Sequence, residues 1–280
     1  MIKDILVHIP TERPIRPVLD ASISLASAFK ARLDALATAY VSTGATYMVA
    51  GAAAAAVAAV FENAQQEADQ RAVAALTVFE TEARHAGVSY ELRAIADIPI
   101  EAAASIAAAS RLYDLSVVLQ PDLDRQTSDN MISTEIVLQA GGPVLMIPHI
   151  FRGAFKAKRI GICWDGSRLA ARALKDARPF LAQAEALYAI SINGVEGPPA
   201  DASPQKLAEH LGDAGLPVKL IDLPAKHADI QPSILSLAAD ENLDMLVMGA
   251  YGHSRLQEGL LGGVTREMLR TMTIPTLMSH

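Results

Sequence analysis

The residues best suited to chemistry in this chain lie near its C-terminus: Gly249, Gly252, Gly262, Gly263 and Thr265. The apolar run Asp244-Met245-Leu246-Val247-Met248 precedes them and reads as a buried strand. Arg266-Glu267-Met268-Leu269-Arg270 follows with the spacing of a helix. Glycines between a strand and a helix let the backbone take positive φ and let a ligand come close. The N-terminus of the helix adds N–H groups and a partial positive charge, which suit an anion, phosphate above all. The same glycines are equally consistent with an ordinary strand-to-helix turn. Asp165, in Trp164-Asp165-Gly166-Ser167, ends another apolar run. The plain alternative there is a turn, with Ser167 capping the next helix. No His and acid pattern accompanies Ser167, so a cap outweighs a nucleophile.

The spacing itself is more specific. Gly249, two residues, Gly252, nine residues, then Gly262 resembles the ATP-binding signature of the universal stress protein family. That signature continues with Ser or Thr, where this chain has Gly263; Thr265 offers a hydroxyl two residues on. The P-loop pattern is absent and the loop has no lysine, so a nucleotide would be held mainly by backbone amides. The resemblance implies that Asp165 faces the adenosine and that the strand end at Ile190 to Ile192 runs beside adenine through its backbone. It implies ATP, with or without Mg, as the cofactor. It also implies a binding or signalling module with at most slow hydrolysis. No positioned base, arginine finger or Walker lysine argues for more. Arg255 and Arg266 are as well explained by solvated charge as by phosphate contact, and His253 reads as a surface residue. Tyr251 either covers a base or packs on the loop.

These residues need a scaffold, and the hydrophobic pattern supplies one. Strands are expected at 2–9, 32–40, 88–95, 112–119 and 143–147, alternating with helices at 14–30, 52–86, 97–111 and 128–139. Gly87 caps the second of these helices, and Asp97 with Pro99 opens the third. The order then repeats: strands at 159–164, 184–192, 217–223, 243–248 and 274–278, helices at 167–181, 204–214, 229–242 and 262–271. Such alternation implies βαβ units and a parallel sheet. Ala96-Asp97-Ile98 recurs as Ala228-Asp229-Ile230, and Asp114-Leu115-Ser116-Val117-Val118 as Asp244-Met245-Leu246-Val247-Met248. Gly142-Pro143-Val144-Leu145-Met146 answers Ile274-Pro275-Thr276-Leu277-Met278, so three matches share one order and an offset of about 130 residues. The chain is a tandem duplication. The expected fold class is α/β: two tandem Rossmann-like domains, residues 1–149 and 157–280, each a five-stranded, mostly parallel sheet flanked by helices. A polar linker is expected from His149 to Ala157.

The halves differ where chemistry is expected. Pro10 stands where Asp165 would fall, and the loop after Leu119 has no glycine but carries Asp122, Asp124 and Asp129. Carboxylates there would repel a triphosphate. The spacing lacks the glycine of an EF-hand, and a solvated acidic loop is the better reading. The first half is thus expected to be a degenerate copy and the second to hold one site.

Composition narrows the classes further. The 280 residues carry a net charge of −7 and are 51% hydrophobic, which argues against a nucleic-acid partner and for a full core. The single cysteine, Cys163, excludes an internal disulfide and a multi-cysteine zinc site, and its apolar setting predicts an inert thiol. The uncharged, alanine-rich stretch from Ala45 to Phe61 falls short of the roughly 20 residues of a membrane span and reads as a helix. No leader is evident, so the expected setting is the cytoplasm, without membrane. Three functions follow: an ATP-binding stress-response or regulatory protein, a non-nucleotide interaction scaffold with a decayed site, or a nucleotidyl-transferring enzyme, the least supported. Because the family's terminal strands pair across subunits, a pseudo-dimeric monomer and a homodimer are both open.

Overall fold

The computed structural model describes residues 1–41, 53–193, 198–226, 229–251 and 263–280. In the first half the elements are β1 (Asp4–Ile9), α1 (Arg16–Phe29), β2 (Arg32–Tyr40), α2 (Ala53–His85), β3 (Leu92–Asp97), α3 (Pro99–Ser110), β4 (Leu115–Leu119), α4 (Asp129–Gln139) and β5 (Val144–Ile147). In the second they are β6 (Arg159–Cys163), α5 (Arg168–Asp176), α6 (Arg178–Leu181), β7 (Ala186–Asn193), α7 (Pro204–Asp213), β8 (Val218–Pro224), α8 (Ile230–Asp240), β9 (Met245–Gly249), α9 (Val264–Thr271) and β10 (Thr276–Ser279).

The strands of each half are parallel, as the alternating pattern requires, but the two halves make one sheet. Its order is β3-β2-β1-β4-β5-β10-β9-β6-β7-β8. The seam is antiparallel, with Thr276 opposite Met146, Leu277 opposite Leu145 and Met278 opposite Val144. The terminal strands of the two halves therefore pair with each other within this chain. An antiparallel seam also sends the strand C-termini of the two halves to opposite ends of the sheet.

Helices cover both faces. On one, Ala68, Ala72, Ala75, Leu76, Phe79 and Ala83 form a stripe of α2, and these join Val18, Leu25, Ala173 and Phe180 in one core. On the other, Ile106, Ile132, Ile136, Ile234 and Met268 form a second core. Both cores run across the seam: Leu145 and Leu277 enter the first, Val144, Met146 and Met278 the second. Period-two alternation of wholly apolar strands explains the split.

Several boundaries differ from expectation for local reasons. The expected helix at 167–181 is two helices, because Pro179 in the first turn of α6 cannot donate to the preceding turn. Asp97 ends β3 and does not cap α3; Ile98 holds the cap position in extended conformation, as the residue before Pro99 must. β3 starts at Leu92 rather than at Val88. Gly87 does close α2, at φ +67, with Val88 N–H donating back to the Ala83 carbonyl at 3.0 Å. Nor is the linker loose. Phe155 N–H donates to Ser24 Oγ at 2.8 Å, and its ring meets Phe180 edge-on at 6.0 Å. Phe29 meets Phe180 edge-on at 5.3 Å, so one buried ring of the second half joins the first half and the linker. Phe180→Ala should cost about 3–5 kcal/mol, read as a lower midpoint in chemical denaturation.

Candidate functional site

In open α/β sheets ligands bind beyond the carboxyl ends of the strands. At that edge of the second half, β6 runs into Trp164, which is held by its own N–H on the Ile190 carbonyl and by indole Nε1 on the Ala202 carbonyl, both at 2.8 Å. Asp165 follows, exposed, its Oδ1 accepting the Ser167 N–H at 2.9 Å. Ser167 Oγ in turn accepts the Ala170 N–H at 3.1 Å, so Ser167 is the cap of α5. Gly166 makes the turn at φ +72, and a Cβ there would sit 2.5 Å from the Pro198 side chain. Asp165 is thus set by a local turn and still faces solvent.

Gly249 ends β9, next to β6 in the sheet. A Cβ on it would lie 2.7 to 2.8 Å from backbone atoms of Leu169 and Ala170, so its first duty is to let α5 pack on the strand end. Ile192 lies near the end of β7, half-buried against the second core. Gly263 is the cap position of α9, extended at φ −66 and ψ 146, with no side chain to bond the first turn. Helix geometry leaves those first-turn amides without intrahelical partners. The Thr265 hydroxyl is buried and accepts the Tyr251 N–H at 3.2 Å; it ties the start of the loop to α9. Tyr251 sits at φ +58, edge-on to the His280 ring at 6.5 Å. The structure therefore brings Asp165, Ile192, Gly249, Gly263 and Thr265 to one end of one half. Gly252 and Gly262, with His253 and Arg255, lie outside the described residues. Cys163, just below Asp165, has its thiol pushed up to about 12, first by burial and then by the Asp165 charge, so it stays protonated at neutral pH.

The first half fills the matching place from within. Asp129, the first residue of α4, is buried, and its carboxylate accepts the Tyr40 hydroxyl at 2.8 Å and the Glu12 N–H at 2.9 Å. Burial, and then Asp129, raise the Tyr40 pKa, so the phenol stays a donor. His8 Nε2 lies 4.0 Å from Asp129 and 3.4 Å from Thr38 Oγ1. Glu12 accepts the Ser128 N–H at 2.6 Å. The expectation of a solvated acidic loop is therefore wrong for Asp129, which is a buried anion on a helix N-terminus. Nothing in the sequence signalled this, because the partners Tyr40 and His8 lie far from Asp129 along the chain. Among the described residues no group of His, Cys, Asp and Glu is arranged to hold a metal, and no helix is long and apolar enough to cross a membrane.

Against this geometry, a family model described as the universal stress protein family matches residues 156–280. A universal stress protein of Synechocystis is 29% identical over 141 residues, covering 48% of this chain and 46% of that protein. One from Methanocaldococcus jannaschii is 32% identical over 75 residues, covering 26% of this chain and 44% of that protein. The chain spans about half the length of the curated relatives it matches. Among solved structures, a universal stress protein from Archaeoglobus fulgidus superposes with a TM-score of 0.73 at 16% identity, covering 98% of this chain and 97% of its own. A Pseudomonas aeruginosa protein described as a putative universal stress protein gives 0.57 at 18% identity, covering 99% and 93%. These superpositions show the fold.

Two outcomes are expected. Gly249→Ala should cost about 1–3 kcal/mol, because its methyl meets backbone rather than a movable side chain, checked by thermal unfolding. Burial lowers the His8 pKa below its ordinary 6.5, against a smaller opposing effect of Asp129. The unfolded chain then binds the proton more readily, so stability is full above about 6.5 and falls as pH drops toward the lowered value. His8→Gln should flatten that acid-side loss in melting temperatures measured from pH 7 to 5.

Proposed function

We propose that this chain, whose residues 156–280 match the universal stress protein family, is an ATP-binding stress-response or regulatory protein with one nucleotide site, in the second half. Phosphates rest on the amides of Gly252, Gly262 and Gly263 at the start of α9, with Asp165 toward the adenosine and the end of β7 at Ile192 beside adenine. Mg accompanies the nucleotide rather than being held by a protein cluster. Residues 1–149 are the degenerate copy and 157–280 the binding one. The pairing of β5 with β10 inside the chain supports a pseudo-dimeric monomer.

The observation that carries the reading is the contrast between two helix N-termini. α4 receives a buried carboxylate from its own first residue, while α9 begins at a glycine that offers it no side chain. A helix N-terminus favours an anion, so the helix that begins at a glycine is the one suited to an external phosphate. A second reading, an interaction scaffold with a decayed site, is favoured by Gly263 in the place of the family's Ser or Thr, and by the engagement of Thr265 with Tyr251.

Calorimetric titration with Mg-ATP separates the two. Binding near one equivalent per chain, lost in Gly252→Val and Asp165→Ala, is the expected result; no heat from well-folded, nucleotide-free protein overturns it in favour of the scaffold. Gly263 is extended, a conformation any residue adopts, so Gly263→Ser should be tolerated. Its added hydroxyl should tighten ATP about tenfold, which is about 1.4 kcal/mol.

A further inference from the structure

We propose that Gln120 is a positioning residue that holds α9 by its C-terminal end and so makes the second-half site depend on the first half; its consequence for binding rests on the ATP reading above, whereas the clamp does not. Gln120 follows β4 directly and is fully buried. Its backbone N–H extends the ladder to the Ile147 carbonyl at 2.8 Å, and its carbonyl accepts the Arg13 guanidinium. Its side chain crosses to the other half: Nε2 donates to the Leu269 carbonyl at 2.9 Å, and Oε1 accepts the His149 N–H at 3.2 Å.

Leu269 lies in the last turn of α9, where carbonyls run out of intrahelical donors. The Met268 carbonyl takes the Met272 N–H at 2.9 Å, after which Met272 leaves the helix at ψ 139. The donor for Leu269 comes from the other half of the duplication. The antiparallel seam makes this possible, because it places the strand C-termini of the first half where helices of the second half end. α9 is about 12 Å long, so the clamp and the proposed phosphate end sit on one short rod. The neighbouring contact of Arg270 with Asp124, at 3.9 Å, is solvent-exposed and adds little.

The Gln120 contact has no counterpart from the equivalent residue of the second half, and the end of α4 meets Arg172 instead. At the matching position of the second half, about 130 residues on, stands Ala250, which has no donor to offer α4. Loss of the Gln120 amide would strand the Leu269 carbonyl and the His149 N–H in the interior. α9 would be free to shift, and amides that must converge on phosphate lose their aim. By linkage, ATP on α9 must tighten the Gln120 contact in return.

The test uses the full chain, with amide hydrogen exchange over residues 264–272 and Mg-ATP affinity by calorimetry. Gln120→Leu should speed exchange in α9 at least tenfold and weaken ATP about tenfold, while Asp124→Ala changes both less than twofold. Gln120→Glu should resemble Gln120→Leu at pH 8 and recover toward wild type at pH 5.5, since a protonated carboxyl donates to the carbonyl and a carboxylate cannot. That recovery decides the matter even where Gln120→Leu folds poorly. Unchanged α9 exchange in Gln120→Leu, or no recovery of Gln120→Glu in acid, overturns the clamp. Faster exchange with unchanged ATP affinity overturns the coupling. A wild-type chain that binds no ATP overturns the nucleotide reading alone, and exchange still judges the clamp.

Discussion

A parallel five-stranded sheet of order 3-2-1-4-5 leaves its last strand with an unpaired row of N–H and C=O groups. Two such edges arise here, β5 and β10, and each is satisfied by the other. Everything else in the architecture depends on that pairing. Every residue of β5 and of β10 is buried, which a strand tolerates only with a partner on each side and helices on both faces. The outer edges are treated differently. β3 and β8 are largely exposed, and carry Arg93, Lys219 and Pro224, residues that discourage further pairing.

The same pairing decides where the chemistry sits. Because β5 and β10 run in opposite directions, the strand C-terminal ends of the two halves face away from each other. Each is then close to the ends, rather than the beginnings, of the other half's helices. Arg172 on α5 reaches the carbonyl of Gly141, just past α4, and Gln120 at the C-terminal end of β4 reaches the end of α9. The two halves therefore touch through helix tails. That geometry leaves each helix head to its own half, which is why one head is filled by Asp129 while the other begins at a plain glycine.

Much of this was legible in the sequence, and the reasons are local. Apolar runs such as Leu115-Ser116-Val117-Val118-Leu119, repeated at a nearly constant offset, identify strands and duplication without any tertiary information. Ser167 and Gly87 act on their own helix ends, so their caps were readable too. Gly249 was readable as special, but the sequence could not show that α5 backbone, rather than a ligand alone, needs the space above it. Asp129 was misread because its partners, Tyr40, Glu12 and His8, are distant in the chain and meet only when β1, β2 and α4 converge at one edge. A seam made of two ordinary strand patterns leaves no mark in either strand, so one ten-stranded sheet and two separate sheets have the same signature.

The divergence between the copies follows a physical order. A helix N-terminus at the end of a parallel sheet must be given something negative or be left to water. In the first half Asp129 meets that need permanently, and the surrounding hydroxyl and amide donors make the carboxylate hard to displace, since an incoming phosphate would have to replace an anion already accepting several bonds in a buried place. Once that edge is closed it is free to do structural work, and Gln120, its own carbonyl held by Arg13, occupies it with a contact that reaches across the seam. In the second half the cap position is Gly263, which has no side chain to bond the first turn of α9. A duplicated domain can thus let its copies diverge with few changes: the first neutralises its own helix and supports the end of α9, while in the second α9 begins at Gly263.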